Sequence, residues 1–272
     1  MAQPIPSDVD PRALESLLAF WSEAGVEVCT EDDPVDRMVR AAPPSRQTAP
    51  AVLRQAPAPE AMAPEIGEAL EQARALAAAA GDLAALAEAI AAFDGCPLKF
   101  QGARQSVFSR GDPRAPVMAI GEGPGGEEDQ QGAPFVGRAG KLLDLMLNAA
   151  GLHDRVFITN TVFWRPPGNR TPTLMEQSVC APFLERAVEL VGPKILLLVG
   201  GASAKFLLKK DEGILSLRGR WFEWRSANGE LVLPALPTLH PAFLLRQPAA
   251  KKRAWSDLLT LVERLDRQAR PD

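Results

Sequence analysis

The feature of this chain that most constrains its fold is the alternation, after residue 115, of short apolar runs with stretches of helical periodicity. The apolar runs are 117–120, 156–159, 195–199 and 231–236, and the helical stretches between them are 138–150, 173–191 and 201–210. Strands that alternate with helices are typical of βαβ units and of a mainly parallel sheet buried on both faces. The sequence therefore predicts an α/β fold. In the last run, Pro234 predicts an edge strand or a bulge, because proline has no N–H to donate within a sheet.

The first 95 residues are organised differently. Apolar residues at helical spacing, with Pro11 at the first helical position, predict an N-terminal helix within residues 1–29. Residues 30–64 are rich in Pro, Ala and Asp, which predicts an extended linker. The remaining domain, 65–272, opens with two further predicted helices. The N-terminal helix is expected either to dock on this domain or to bind a partner protein through Leu14, Leu18 and Trp21.

Charge and composition narrow the classes of function. Residues 1–95 hold 6 Lys+Arg and 16 Asp+Glu, whereas residues 96–272 hold 24 Lys+Arg and 18 Asp+Glu. A basic C-terminal part therefore follows an acidic N-terminal part. That asymmetry is compatible with a polyanionic partner, and equally with ordinary surface charge. Three cysteines cannot form a disulfide framework, no apolar run is long enough to span a membrane, and the polar N-terminus does not resemble a secretory signal. We expect a cytoplasmic monomer that has no membrane partner.

A glycine-rich loop follows the first apolar run, with the sequence Gly121-Glu-Gly-Pro-Gly-Gly-Glu-Glu-Asp129. Its glycines satisfy the spacing of a dinucleotide-binding loop. We reject that interpretation, because Pro124 interrupts the loop, no helix is predicted to open directly after it, and the carboxylates of 127–129 would repel a pyrophosphate. The glycines instead indicate backbone that approaches a ligand closely. The carboxylates indicate either a site at which positive charge develops or a solvated acidic turn.

Polar and aromatic side chains follow the other strands, at the edge of the sheet where α/β proteins bind ligands. Asn160 follows the second run and offers both a donor and an acceptor, as reading the edge of a nucleobase requires. Asn169 offers the same groups, or serves a turn. His240 follows the last run and precedes a basic stretch. Phe135 stands in a second glycine-rich segment, where its ring either offers a stacking face or fills the core.

In this order the motifs resemble those of the uracil-DNA glycosylase superfamily, and most closely those of its family 4. They are Gly121-Glu-Gly-Pro-Gly with Glu128-Asp129, Pro134-Phe-Val-Gly-Arg-Ala-Gly140 with Leu142-Leu-Asp144, Ile158-Thr-Asn160, Arg165-Pro-Pro-Gly-Asn-Arg170, Leu217-Arg-Gly219 and His240-Pro with Leu245-Arg246. The resemblance covers roughly residues 90–265 and leaves residues 1–60 outside. It implies a three-layer α/β/α sandwich that flips uracil out of DNA, hydrolyses its N-glycosidic bond and leaves an abasic site.

The resemblance also implies roles for individual residues. In the family's pattern a phenylalanine stacks on the extruded uracil, an asparagine reads its N3 and O4 edge, and a histidine donates a hydrogen bond to O2. The base-binding group expected here is Gly123, Phe135, Asn160 and His240. Carboxylates stabilise positive charge on the sugar or orient the water. The catalytic group expected here is Glu122, Glu128, Asn169 and His240.

Contacts to DNA are expected from basic and apolar side chains, most of them in or just after the motif His240-Pro with Leu245-Arg246. Flipping a base costs about a few kcal/mol, which phosphate contacts and a wedge in the base stack must offset. The phosphate contacts are assigned to Arg170, Arg246, Lys251 and Lys252. The wedge is assigned to Leu244 and Leu245, with Phe243 as a further candidate.

The chain departs from family 4 at the iron–sulfur cluster, which that family holds with four cysteines. Cys96 and Cys180 match the second and fourth positions, but Phe93 and Trp164 occupy the first and third. Two thiolates cannot hold a cluster that needs four. We therefore expect no cofactor and no metal, with aromatic packing of Phe93 and Trp164 in place of the cluster.

The group that activates water is not evident. Family 1 glycosylases carry a water-activating aspartate where this chain has Gly123. Family 4 glycosylases, like this chain, have no aspartate at that position. The stretch 162–172 contains no histidine, so the covalent sugar trapping of another branch is not expected. Two other functions remain as alternatives to a uracil-DNA glycosylase. The first is a non-catalytic DNA-binding protein that retains the glycosylase fold. The second is a nucleotide-cofactor enzyme, which the acidic loop disfavours.

Overall fold

The computed structural model of the protein describes residues 59–269, with side chains from 66 to 267. The helix predicted at the N-terminus and most of the predicted linker lie outside these residues, whereas the first described helix already begins at Pro59. The helices are α1 (Pro59–Ala79), α2 (Leu83–Ala92), α3 (Gly126–Gln131), α4 (Arg138–Ala149), α5 (Leu174–Val191), α6 (Gly201–Leu208), α7 (Ile214–Leu217), α8 (Pro241–Arg246) and α9 (Lys251–Ala269). The strands are β1 (Ser109–Gly111), β2 (Val117–Gly121), β3 (Val156–Asn160), β4 (Ile195–Val199), β5 (Phe222–Arg225) and β6 (Val232–Thr238).

The strands form one six-stranded sheet in the order β1-β3-β2-β4-β6-β5. The four inner strands are parallel, and β1 and β5 pair antiparallel at the two edges. Every residue of β2, β3 and β4 is buried, which explains their continuous apolar sequences. The predicted α/β fold with a mainly parallel sheet is therefore confirmed.

Alternate residues of the inner strands enter two different cores, because successive side chains of a strand point to opposite faces. Met118 and Ile120 of β2 pack in a core with side chains of α1, α2 and α5. Val117 and Ala119 pack in a second core with leucines of α4 and α9. The predicted three-layer arrangement of helices, sheet and helices follows from these two cores.

Two features of the sheet differ from expectation. Strands β1 and β5 have the short sequences SRG and FEWR, which contain no apolar run and so gave no signal. The prediction that Pro234 marks an edge strand or a bulge was wrong, because β6 pairs with β4 on one side and with β5 on the other. At Pro234 itself β6 is paired with β5 alone, because the ladder with β4 begins only at Ala235.

Residues 59–269 contain no helix that combines the length and the apolar character required to cross a membrane.

Candidate active site

The carboxyl ends of the parallel strands open on a cavity of about 530 Å³, which is within the size range of small-molecule sites. Four parts of the chain line it: the glycine-rich loop, the segment 132–140 that carries Phe135 (the Phe135 segment), the loop 166–172, and His240 with helix α8. The residues that the sequence predicted and that line the cavity are Glu122, Gly123, Glu128, Phe135, Asn169, Arg170, His240 and Arg246. The fold thus brings together residues that are more than 120 positions apart in the sequence.

The glycine-rich loop leads directly into helix α3, so the expectation that no helix opens there was wrong. The Glu128 carboxylate occupies the start of this helix: one oxygen accepts the Gly125 N–H at 3.1 Å and the other accepts the Gly137 N–H at 2.9 Å. Asp129 is buried and accepts the Arg104 N–H. Glu128 occupies the Gly125 N–H of the loop, and the first turn of α3 carries three acidic residues, so a pyrophosphate remains disfavoured at this helix.

Phe135 stands at the inner wall of the cavity in a left-handed backbone conformation, with φ +55°. A bulky residue in this region is strained by about 1–3 kcal/mol, so the surrounding structure must hold it there. The ring is 6% exposed and lies 5.7 Å from the His240 ring, centroid to centroid, at an interplanar angle of 33°. The ring also packs against Gly121, where any side chain would collide with it, since a Cβ there would lie 2.5 Å from Phe135 Cζ.

Asn160 is 1% exposed and lies beside Phe135, but it is not among the residues that line the cavity. A Cβ on Gly121 would lie 2.4 Å from Asn160 Oδ1, so this oxygen and the Phe135 ring contact the same glycine. Within the described part of the chain, Oδ1 is the buried side-chain atom that has no hydrogen-bond partner. An unpaired buried acceptor costs about 1–3 kcal/mol, and native structures usually retain one for a ligand or a functional reason.

His240 is held as a neutral imidazole whose Nε2 carries the proton. Its Nδ1 accepts the Ala242 N–H at 3.2 Å and caps helix α8, which leaves the proton of the neutral ring on Nε2. Burial and, to a smaller extent, the positive charge of Arg246 lower the pKa of His240 to about 4, while Glu128 opposes the shift. The ring is therefore uncharged at neutral pH and offers one N–H donor.

The loop 166–172 is fixed by two arginine contacts. Both terminal nitrogens of Arg170 donate to the buried Glu176 carboxylate, at 2.9 and 2.6 Å, and this hydrogen bonding lowers the pKa of Glu176. Arg165 Nε donates to Asn169 Oδ1 at 2.8 Å, and Asn169 has φ +55°. Asn169 therefore shapes the turn and also lines the cavity.

Sequence reasoning missed a buried pair that positions Glu122. Thr161 Oγ1 donates to the Glu122 carbonyl oxygen at 2.6 Å, and Gln177 Nε2 donates to Thr161 Oγ1 at 3.0 Å. Both side chains are buried. Their partners are a backbone carbonyl and a hydroxyl on distant segments, so no local pattern in the sequence signals them.

The apolar side chains of α8 face in different directions. Leu244 is fully buried with Leu239 and Ala254, so its assignment to the DNA wedge was wrong. Leu245 is 39% exposed and Phe243 lines the cavity. The exposed Lys251 and Lys252 begin α9, which follows α8 after a short 3₁₀ turn.

The cysteine positions do not fit a four-cysteine iron–sulfur cluster. Cys96 and Cys180 are fully buried with their sulfur atoms 3.9 Å apart, and burial raises the pKa of the Cys180 thiol. The Phe93 and Trp164 rings are buried beside them, 6.5 Å apart. Across residues 59–269, no group of three or more His, Cys, Asp or Glu side chains is arranged to hold a metal ion.

Comparison with protein families shows which superfamily has this site. Residues 108–259 match the family described as the uracil DNA glycosylase superfamily. The chain belongs to the uracil-DNA glycosylase superfamily. The matched span includes all the predicted site residues, so the superfamily identified from the motifs is confirmed.

Curated relatives narrow the likeness to one type of glycosylase. A type-4 uracil-DNA glycosylase of Sulfurisphaera tokodaii is 38% identical over 174 residues, which are 62% of this chain and 78% of the relative. That of Thermotoga maritima is 38% identical over 58% of this chain and 80% of its own length. That of Saccharolobus solfataricus is 39% identical over 60% and 77%.

Proposed function

We propose that this protein is a DNA-repair uracil-DNA glycosylase, which flips uracil out of DNA, hydrolyses its N-glycosidic bond and leaves an abasic site. The observation that carries the proposal is the unpaired Asn160 Oδ1, which lies beside Phe135, while Phe135 and His240 line the cavity. These three side chains offer a stacking face, an acceptor and a donor to one planar ring. The type-4 names of the relatives support the same substrate.

Asn160 supplies the recognition of uracil. Uracil carries a hydrogen on N3, which pairs with the vacant Oδ1, whereas the N3 of cytosine is an acceptor and repels it. Phe135 stacks on the ring from the side of the sheet. A site with a buried unpaired polar group discriminates strongly against a base that cannot complete the hydrogen bond.

His240 stabilises the departing base. As the glycosidic bond breaks, negative charge develops on uracil O2 and positive charge on the sugar. The Nε2–H of a neutral imidazole aimed at O2 acts like an oxyanion-hole donor, since it stabilises charge that forms only in the transition state. The low pKa of His240 keeps the imidazole from transferring a proton and fixes this role as hydrogen bonding.

Glu122 and Glu128 supply negative potential on the sugar side of the cavity. Both oxygens of Glu128 accept backbone N–H groups, so we assign this carboxylate to holding the loop and to electrostatic stabilisation. Glu122 lines the cavity with its backbone held by Thr161, and we assign to it the orientation of the attacking water. Asn169 is the further polar group on that wall.

DNA is held around the mouth of the cavity. Arg170 and Arg246 line it, and Lys251 and Lys252 extend the basic surface, so these four contact phosphates. Leu245 takes the wedge position that Leu244 cannot take. A monomer provides all of these groups. The repair-protein partner expected for the N-terminal helix stays a prediction, because that helix lies outside the described residues.

The protein functions without the iron–sulfur cluster. Aromatic side chains stand where two of the four cysteines are expected, and the remaining two cysteines are buried together. The packing of Phe93 against Trp164 and Phe183, with ring centroids 6.5 and 5.2 Å apart, replaces the bonds of a cluster to its ligands. None of these residues lines the cavity, so the chemistry does not depend on them.

The proposal is tested by release of uracil from an oligonucleotide that contains one uracil. We expect the wild type to release it and Asn160→Ala and His240→Ala to lose about 10²–10³-fold in kcat/KM. Matched controls are Asn148→Ala and His153→Ala, which alter exposed residues of the same types and leave the rate unchanged. Wild-type rates in both site variants would show that the site is assigned wrongly.

A further inference from the structure

The edge strand β1 carries an arginine that reaches the Phe135 segment. Arg110 Nε donates to the Pro134 carbonyl oxygen at 2.7 Å, and one terminal nitrogen, Nη2, donates to the Phe135 carbonyl oxygen at 3.1 Å. The same nitrogen donates to Asp144 Oδ1 of helix α4 at 2.6 Å. One planar guanidinium thus joins β1, the Phe135 segment and α4.

The contacts of Arg110 are made to a part of the backbone that has a strained conformation. Phe135 has φ +55°, a conformation that a bulky residue adopts only when its surroundings impose it. Its carbonyl oxygen is confined on the other side by Gly140, where a Cβ would lie 1.7 Å away. Because the direction of the ring follows from the backbone, the group that holds this carbonyl also determines where the ring stands.

We propose that Arg110 is a positioning residue for the glycosylase reaction. It holds the Phe135 backbone so that the ring lies against the extruded base, and Asp144 orients the guanidinium. This inference rests on the proposed function, in which Phe135 stacks on uracil. Arg110 itself touches neither the base nor the reacting bond, so its effect on the reaction passes through Phe135.

The geometry favours this role over that of a phosphate contact or an ordinary surface ion pair. Two of the three acceptors are neutral carbonyl oxygens of the segment that carries the ring, and the guanidinium side chain is 27% exposed. Only the fork of an arginine serves all three acceptors at once. A lysine retains the charge but presents a single nitrogen, so Arg110→Lys separates fork geometry from charge.

The test is a double-mutant cycle of Arg110→Lys and Phe135→Leu, read as kcat/KM on the uracil oligonucleotide. We expect Arg110→Lys to lower kcat/KM about tenfold in the wild-type background and to add little in the Phe135→Leu background. The inhibition constant of free uracil rises by the same factor in Arg110→Lys. Affinity for a uracil-free duplex stays at the wild-type value, because no phosphate contact is lost.

Two further variants keep the test decisive. Arg114→Lys is the matched control, because Arg114 is exposed at the opposite end of β2 from the site, and it keeps wild-type kinetics. Asp144→Asn is the second probe if thermal melting shows that Arg110→Lys is poorly folded, since the Asp144 side chain is 46% exposed. It lowers kcat/KM in the same direction.

The outcomes separate this inference from the proposed function. If Phe135→Leu keeps the wild-type kcat/KM, the stacking role itself is wrong. If Phe135→Leu is impaired while folded Arg110→Lys and Asp144→Asn are not, the positioning role is overturned. The positioning role is equally overturned if the losses of Arg110→Lys and Phe135→Leu multiply in the double variant, or if Arg110→Lys weakens binding to uracil-free duplex.

Discussion

At the scale of single residues, the site depends on two polar side chains whose environments are incomplete or shifted without a ligand. Asn160 Oδ1 is buried and unpaired, and His240 is buried enough to lower its pKa to about 4. Both features cost stability, and in the proposed function one uracil ring contacts both side chains. From the sequence, the position of these residues at strand ends predicted a shared site. The missing partner of Oδ1 was not predictable, because it depends on which groups the fold brings within reach.

The pKa of His240 predicts how stability depends on pH. An imidazole titrates near 6.5 in the unfolded chain and near 4 in the folded one, so the unfolded state binds the proton first as the pH falls. The contribution of neutral His240 to the free energy of unfolding is therefore fully present above pH 6.5, declines between pH 6.5 and pH 4, and is absent below pH 4. The decline amounts to about 3 kcal/mol.

Urea unfolding of the wild type and of His240→Gln at about pH 7.5 and about pH 4.5 measures this decline. The wild type should lose about 2.5 kcal/mol more than the variant over that interval, because part of the decline lies below about pH 4.5. His153→Gln, whose side chain is 66% exposed, should follow the wild type. An equal loss in wild type and His240→Gln would mean that His240 is not depressed in pKa.

At the scale of elements, the site is built by loops and short helices at the carboxyl end of a sheet that the sequence largely reveals. The apolar runs of β2, β3 and β4 predict the inner strands, because burial on both faces requires continuous apolar sequence. The sequence does not predict helix α3, because the helix has only six residues and begins among glycines. The sequence also does not predict which side chains of α8 are buried, because this short helix has no clear apolar stripe.

Neighbouring leucines of α8 therefore make a sharp prediction. Leu244→Ala empties a fully buried position and should lower the free energy of unfolding by about 2–5 kcal/mol. Leu245→Ala alters a side chain that is 39% exposed and should leave stability within about 0.5 kcal/mol of the wild type. Because Leu245 is the proposed wedge, this variant should cleave duplex substrate about tenfold more slowly.

Chemical denaturation measures the stability of both variants, and steady-state cleavage of duplex and single-stranded uracil DNA measures their activity. The rate of Leu245→Ala on a single strand should stay near that of the wild type, because no base stack has to be opened. If Leu245→Ala destabilises the fold and Leu244→Ala only slows duplex cleavage, the assignment of the two side chains is reversed.

At the scale of the whole molecule, the chain matches its superfamily over the residues around the cavity, while aromatic residues stand at two of the four expected cysteine positions. Phe93, Trp164 and Phe183 form a buried aromatic group around Cys96 and Cys180. The substitution of two cysteines was evident from the sequence. That the aromatic rings pack together was an expectation, which the ring contacts confirm. Arg110 and Gln177 were beyond sequence reasoning, because their partners are backbone or hydroxyl groups far along the chain.

The aromatic group predicts a colourless enzyme. Protein purified without chelators should contain no stoichiometric iron and show no charge-transfer absorption of an iron–sulfur cluster, and Cys96→Ala with Cys180→Ala should retain uracil release. Phe93→Ala should instead lower the free energy of unfolding by about 3–5 kcal/mol. Iron analysis and visible absorption decide the matter, and one cluster per chain would contradict this account.

The central claim is that one slot at the carboxyl end of the sheet binds a flipped uracil and stabilises it as it leaves. The most direct measurement is base release by the wild-type protein from two oligonucleotides that are identical except for one uracil or one cytosine. The account predicts free uracil and an abasic site from the first, and no release from the second. Salt-sensitive binding to both oligonucleotides with no base released from either would contradict it and identify a DNA-binding protein that has lost the reaction.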